Sequence, residues 1–455
     1  MAVKPIILTP EGYKKLEEEL RTLKVEGRTE IAEKIKEARS YGDLSENAEY
    51  DAAKDAQAAM EQRITTIENM LKNAQIVSDS DVSTDEISIG SRVKLYDVEF
   101  EEEMDNTPAN IRKLTSFISA FCEKDKTMPF APSGVAAVIE EASQMADDQT
   151  KLSARFTDLI QVLTEAAAWA KADKAELVTA EHVKKAMREK RNRVNNYDKR
   201  MQEMILDNTI MVDTTGKAVG QINGLSVLDL GDCMFGKPAR ITANTFIGKS
   251  GVVSIEREAH MSGTSHTKGA LIISAYLGEK YAQDLPLALT ASLCFEQLYS
   301  GVDGDSASST EIYAILSSLS DAPINQGIAV TGSVNQKGEI QPIGGATHKI
   351  EGFFDVCKSR KLTGEQGVII PIQNVKNLHL KDEVIEAVKE GKFHIWPVKS
   401  IDEGIEILTG VPAGKKKKDG SYPKGSINQL VYDKLRKYAL TVTNFGKEEA
   451  GTMKY

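Results

Sequence analysis

Two narrow apolar stripes open the chain. Tyr13, Leu16, Leu20 and Leu23 recur in steps of three and four, and Ile64, Ile67 and Leu71 repeat that spacing further on. Stripes of this width predict two long helices folded back on each other as an antiparallel coiled coil. The break at Ser40-Tyr41-Gly42-Asp43-Leu44-Ser45-Glu46-Asn47 is its tip, and Thr9-Pro10 supplies a cap and a favoured first helical residue. Helical spacing returns at roughly 107–125, 132–147, 153–172 and 179–208, with Thr107-Pro108 and Thr179 as starts.

Beyond residue 209 the pattern changes. Ile222–Leu230, Ala239–Ile247, Val252–Glu256, Leu287–Phe295, Ile328–Val334 and Gly367–Pro371 read as strands. His266–Leu277, Thr310–Leu319 and Thr347–Ser359 read as helices, the latter two with buried stripes at Ile312, Ile315, Leu316 and Leu319 and at Ile350, Phe353, Phe354 and Cys357. The mixture predicts an α+β domain with a layered sheet. Past Gly410, the run Lys415 to Lys418 reads as a solvated loop, Ile427 to Tyr438 as a helix, and the last dozen residues as loose.

With 455 residues the chain exceeds a single core. Its 41% hydrophobic and 27% charged residues are those of an ordinary globular protein. A net charge of −10 argues against tight non-specific binding to nucleic acid or to an anionic membrane. Cys122, Cys233, Cys294 and Cys357 lie far apart, as suits reduced thiols in a cytosol. The N-terminus does not read as a signal peptide, no apolar run is long enough to span a bilayer, and a cytoplasmic location is expected.

The candidate chemistry gathers around Gly301-Val302-Asp303-Gly304-Asp305-Ser306-Ala307-Ser308, which leads into the 310–319 helical pattern. A serine there sits among backbone N–H groups that have no intrahelical partner and that can stabilise an oxyanion. On these residues alone an ordinary N-cap is the commoner use of such a serine. Lys349, 43 positions further on, lies at the edge of an apolar helical face. Partial desolvation would lower its pKa, and a neutral amine can take a serine's proton. His348 is its neighbour, but adjacent helical residues diverge by about 100°, so both cannot face Ser306. Six scattered histidines and no HExxH speak against a zinc peptidase, and no cofactor or resident metal is expected. The nearest approach to a phosphate loop, Ala243-Asn244-Thr245-Phe246-Ile247-Gly248-Lys249-Ser250, runs into a strand-like segment and reads as a hairpin turn at Gly248, not a nucleotide site.

The G-V-D-G-D-S-A-S block, the V-T-G-S-V-N-Q-K-G-E-I-Q-P-I-G-G block and the spacing to Lys349 resemble the proteolytic domain of the Lon proteases, nearest to the LonB-type branch. The resemblance implies a serine endopeptidase in which Ser306 is the nucleophile and Lys349 the general base. It also implies that Thr331 lies beside the lysine, and that an acid just before the serine interacts with the lysine, Asp303 matching better than Asp305. It implies cleavage of unfolded proteins or peptides and assembly as a homo-oligomeric ring, usually of six. The helices before it resemble the lid of AAA+ modules, with Arg155 matching a lid arginine that senses phosphate. No nucleotide-binding core is legible, so activity without ATP is expected.

The segment A-R-S-Y-G-D-L-S-E-N-A-E-Y-D-A-A-K resembles the coiled coil of the GreA transcript-cleavage factors. In that family the coil enters RNA polymerase and acidic tip residues, matched here by Asp43 and Glu46, help to hold Mg²⁺. The resemblance stops after I-S-I-G-S-R-V-K-L, before the polymerase-docking domain, so transcript cleavage is not expected. The expected organisation is a GreA-like antiparallel coiled coil at 1–78, a remnant strand or linker at 79–96, an all-α lid-like domain at 97–203, an α+β protease domain at 204–412 and an extension at 413–455. Two other readings stand beside the peptidase: a polymerase-binding module acting through the coil, and a scaffold or engineered fusion joining a coil to a ring.

Overall fold

The computed structural model describes residues 6–8, 10–40, 48–76, 101–229, 231 and 234–452. Thr9, Cys233, the tip acids Asp43 and Glu46, and the 79–96 linker lie outside the described residues. The chain divides into two compact units, Met1–Phe100 and Glu101–Tyr455.

In the first unit the helices Pro10–Thr22 and Arg28–Ser40 run against Ala48–Lys72. Ala38, Ala53, Met60, Ile64 and Ile67 are buried along the seam. Arg63–Glu19, Arg28–Glu61 and Lys24–Glu68 pair across it. The first arm is not one uninterrupted α-helix as its stripe suggests. A π-helical turn, Leu23–Gly27, interrupts it, and Gly27 lies close against Met60 on the other arm. Strands Ile6–Leu8 and Ala74–Ile76 pair in parallel at the base.

The second unit begins with a helical bundle, Pro108–Lys124, Pro132–Met145, Phe156–Ala172 and Ala180–Val194. The first three keep close to the expected bounds, but the fourth, expected over 179–208, breaks at Asn195 and resumes as a separate helix, Asn196–Leu206. Leu114, Ile118, Val138, Leu159, Leu163, Ala166 and Val183 form its core. The Thr107 hydroxyl accepts from the Asn110 N–H, with Pro108 in the first turn, and Thr179 with His182 forms a capping box. Arg155 stands at the start of the third helix, ion-paired with Asp158 at 3.4 Å.

A seven-stranded mixed sheet follows. Its order is His394–Val398, Gly367–Pro371, Ile328–Val330, Gln221–Asp229, Met234–Ile247, Leu289–Phe295, Gly251–Ser254. The first four strands are mutually parallel, and the fifth, Met234–Ile247, runs antiparallel to both its neighbours. Alternate strand residues serve two separate cores. Ile222, Val330 and Ile369 join the cluster that holds Ile312, Ile315, Leu316 and Leu319, whereas Leu225, Ala329 and Val368 join Ile350, Phe353, Phe354 and Cys357. Helices Ser308–Ser320 and Ala346–Ser359 therefore cover opposite faces of the sheet.

Gly248 sits in a turn, but not in a hairpin. Met234–Ile247 and Gly251–Ser254 do not pair with each other; each pairs with Leu289–Phe295, one on either side. The connection therefore passes the start of strand Leu289–Phe295, and the strand leaving it runs parallel to that strand. The C-terminal helix is also longer than its stripe suggests, running Ile427–Thr452. Ile427, Val431, Leu435, Tyr438 and Ala439 seat it in the core that surrounds helix Ser308–Ser320. Among the described residues, no helix is long and apolar enough to cross a membrane.

Candidate functional site

The two helices on opposite faces meet beyond the C-terminal end of strand Ile328–Val330, at Thr331. Ends of parallel strands are where open α/β sheets leave room for ligands. Ser306 does not lie within its helix but in the turn just ahead of it, since the helix starts at Ser308 with Ala307 as its cap residue. Backbone and side-chain bonds fasten that turn to the strand end. The Gly332 N–H donates to the Ser306 carbonyl at 2.7 Å, the Ser309 N–H and hydroxyl donate to the Gly332 carbonyl, and the Thr310 hydroxyl donates to the Val330 carbonyl.

Lys349 comes from the other face, one turn into helix Ala346–Ser359. Its Nζ lies 3.0 Å from Ser306 Oγ and 3.1 Å from Thr331 Oγ1. The Thr331 hydroxyl in turn donates to the Ser306 carbonyl at 3.3 Å. The lysine is only 2% exposed. Burial pushes its ammonium from 10.5 down to about 8, and the charge of Asp305 acts weakly in the opposite direction. The amine is thus deprotonated over an accessible pH range while it touches the serine hydroxyl.

Glycines set the position of this helix. It crosses strand Met234–Ile247 so closely that a Cβ built on Gly236 would lie 2.0 Å from the His348 carbonyl oxygen, and one on Gly352 would lie 2.0 Å from the Gly236 carbonyl oxygen. The two backbones touch there.

The two acids ahead of the serine do different work from that expected. Asp303 does not pair with Lys349. Its Oδ1 accepts from the N–H groups of Gly304, Ser265 and His266, so it caps helix Thr264–Tyr281. These N–H groups hold its carboxyl below the usual aspartate range. Asp305 is the acid whose charge reaches Lys349, and its Oδ2 accepts from the Ser333 hydroxyl at 2.8 Å. The backbone N–H groups of Asp305 and Ser306 have no hydrogen-bonded partner among the described residues.

Two site-adjacent residues escaped the sequence reading. His266 and Glu311 are each 1% exposed and their Nε2 and Oε1 atoms lie 3.5 Å apart, joining helix Thr264–Tyr281 to helix Ser308–Ser320. His266 Nδ1 contacts the Ser262 hydroxyl at 3.0 Å. Burial alone would lower the imidazole's pKa, but the bond and charge of Glu311, with Glu256 and Asp303 behind it, raise it. One signal was available, because Glu311 is the only charged residue of its 13-residue helix. His348 faces away, into a small cleft lined by Arg191, Asp198, Glu351, Asp355 and Lys381. The 243–250 stretch lies in a strand and its turn and continues into strand Gly251–Ser254. No cluster of three or more metal-ligating side chains occurs among the described residues.

Three stretches match known families. Residues 6–76 match the N-terminal domain of transcription elongation factors GreA and GreB. Residues 129–193 match the archaeal LonB AAA+ ATPase LID domain, and residues 300–410 match the Lon protease (S16) C-terminal proteolytic domain. A putative Lon protease homolog of Escherichia coli (strain K12) is 47% identical over 211 residues, 46% of this chain and 36% of that protein. An archaeal Lon protease of Archaeoglobus fulgidus is 30% identical over 331 residues, covering 71% of this chain and 49% of that protein. Transcription elongation factor GreA of Thermoanaerobacter pseudethanolicus is 58% identical over 104 residues, 23% of this chain and 66% of that protein. The chain thus spans between about a third and a half of the length of these Lon relatives.

Proposed function

We propose that this chain, which joins a GreA-like segment to LonB-lid and Lon proteolytic segments, is a serine endopeptidase acting through a Ser306–Lys349 dyad. The observation that carries the reading is a buried amine, its pKa lowered to about 8, within 3.0 Å of the serine hydroxyl. In the proposed reaction the neutral Lys349 takes the Ser306 proton as Oγ attacks a peptide carbonyl. The free N–H groups of Asp305 and Ser306 stabilise the oxyanion. Collapse of the tetrahedral adduct breaks the C–N bond, and the lysine ammonium gives its proton to the leaving amine. Water, deprotonated by the same amine, then releases the acyl group and regenerates the serine. Thr331 orients the lysine by accepting from it and anchors the serine's backbone.

The substrates we propose are unfolded or flexible polypeptides, cut without ATP by this chain in a homo-oligomeric ring. The test is cleavage of an unfolded casein-type substrate. We expect activity without nucleotide that rises with pH through about 8, and complete loss in Ser306→Ala with the fold intact. Lys349→Arg is expected to be inactive because a guanidinium cannot be deprotonated in a protein. Activity surviving in either variant, or a strict need for ATP, would contradict the proposal.

The 58% identity to a transcription elongation factor favours a second reading, an arm directed at RNA polymerase. We propose that the arm does not by itself confer transcript cleavage. Two carboxylates hold Mg²⁺ only weakly and depend on further ligands from a partner. Backtracked polymerase complexes incubated with the intact chain and with an Asp43→Ala, Glu46→Ala double variant decide the matter. Mg²⁺-dependent RNA shortening by the intact chain alone would establish the second reading.

A further inference from the structure

The segment Lys415 to Lys418, expected to be a plain solvated loop, borders a cavity of about 370 Å³. Ser306, Thr331 and Lys349 do not line it. Its floor is fixed by a network of buried polar groups. Tyr281 donates to Asn428 Oδ1 at 2.5 Å, Asn428 Nδ2 donates to the Gly414 carbonyl, and the Tyr422 hydroxyl donates to the Lys280 carbonyl. Lys280 Nζ reaches Tyr276 Oη at 3.0 Å and Asp402 Oδ1 at 2.5 Å. A floor so constrained is in place before any ligand arrives, which lowers the entropic cost of binding.

The charges around the cavity do not balance. Four lysines line it, Lys280, Lys337, Lys415 and Lys416, against Glu279 and Asp402. Asp402 is taken by Lys280, and Glu279 by Lys337 at 2.6 Å. The ammonium groups of Lys415 and Lys416 have no partner among the described residues, leaving two uncompensated positive charges at the mouth. Helix Ile401–Thr409 also begins at this cavity. The N–H groups of Ile401 and Glu403 are engaged by Gly338 and Ser400, but that of Asp402 has no partner among the described residues. A free first-turn N–H next to two unpaired ammonium groups is an arrangement that takes an anion.

We propose that this cavity binds a small multivalent anion, a phosphorylated or polycarboxylate metabolite, held by Lys415, Lys416 and the opening turn of helix Ile401–Thr409. Size limits the ligand: 370 Å³ lies at the low end for small-molecule pockets and excludes a folded partner. The charge pattern excludes a cation and gives a monovalent anion little advantage, since two ammonium groups would share it.

The test is calorimetric titration of the full chain with pyrophosphate, with citrate and with acetate at low salt. Saturable binding of one anion per chain is expected for pyrophosphate or citrate and not for acetate, and whichever of the two binds more tightly identifies the phosphate or the carboxylate source. Lys415→Ala, Lys416→Ala should weaken binding by about tenfold or more, the usual scale for losing charge-assisted hydrogen bonds. Lys417→Ala, Lys418→Ala removes the same charge from lysines that do not line the cavity, and should weaken binding by less than about twofold, as expected for screened surface charge. Equal losses in the two double variants would mean diffuse attraction to a lysine run and would overturn the proposal. So would absence of saturable binding for both multivalent anions. Since Ser306 and Lys349 are untouched, failure here leaves the peptidase reading where it stood.

Discussion

Replacing Lys349 by methionine is expected to abolish the proposed peptidase activity and yet stabilise the protein near neutral pH. The side chain is 2% exposed, and burial holds its ammonium at about 8 rather than 10.5. Between those two values the unfolded chain carries a proton that the folded chain has released. Stability therefore rises with pH through that window, and below about 8 the folded state bears the whole cost of the buried ammonium. At about 1.4 kcal/mol per pH unit, that cost is about 3 kcal/mol. Methionine keeps a similar unbranched volume without charge, but gives up the hydrogen bonds to Ser306 and Thr331, each worth about 1 kcal/mol net. The balance is a gain of about 1 kcal/mol near neutral pH, which should vanish and then reverse toward pH 10.5. Denaturant unfolding of both chains across that range measures it. A methionine variant less stable than the parent at neutral pH, or a difference that does not change with pH, would refute the view that the lysine is held desolvated.

Three further outcomes are expected. Thr331→Val removes the hydroxyl that meets both Lys349 and the Ser306 carbonyl, and steady-state kinetics should show kcat falling by about tenfold or more with KM little changed. His266→Gln removes an imidazole whose pKa is raised by its carboxylate neighbours. The stability it contributes should be greatest below about 6.5 and fade as pH rises through the raised value, so the difference in unfolding free energy between parent and variant should shrink toward alkaline pH. Asp303→Ala frees the N–H groups at the start of helix Thr264–Tyr281. Because the native carboxyl titrates below its usual range, the parent should keep this contribution until pH falls well into the acid region, and melting curves of the two chains should converge only there.

The segments that carry Ser306 and Lys349 could be read from the sequence because each is local. The stripe Ile312, Ile315, Leu316, Leu319 and the stripe around Lys349 follow from spacing and are buried as expected, whereas Ser306 stands in the turn ahead of its helix. What spacing could not supply was which partners distant segments bring. The resemblance favoured Asp303 as the acid that meets the lysine, but helix Thr264–Tyr281 takes Asp303 as its cap and leaves Asp305 to act on Lys349. His266 and Glu311 lie 45 residues apart and meet only because two helices pack. The Gly248 turn is similarly undetermined by its own residues, since whether two strands flank a third depends on strand Leu289–Phe295, which arrives later. Lys415 to Lys418 are exposed, as a solvated loop should be, but that Lys415 and Lys416 border a cavity could not be read, because its other lining residues come from distant segments.

The crossing of Gly236 over Gly352 has a bearing on how such a chain can change over generations. Helices usually rest on sheets through side chains, so each exchange of a core residue moves the helix a little. Here main chain meets main chain, and that contact is indifferent to which aliphatic groups fill the space around it. The interior near Phe353, Phe354 and Phe393 can then drift through many combinations while the lysine stays within reach of its serine. The freedom is purchased at two positions that admit no side chain at all, so the variability expected around the crossing should stop abruptly at Gly236 and Gly352.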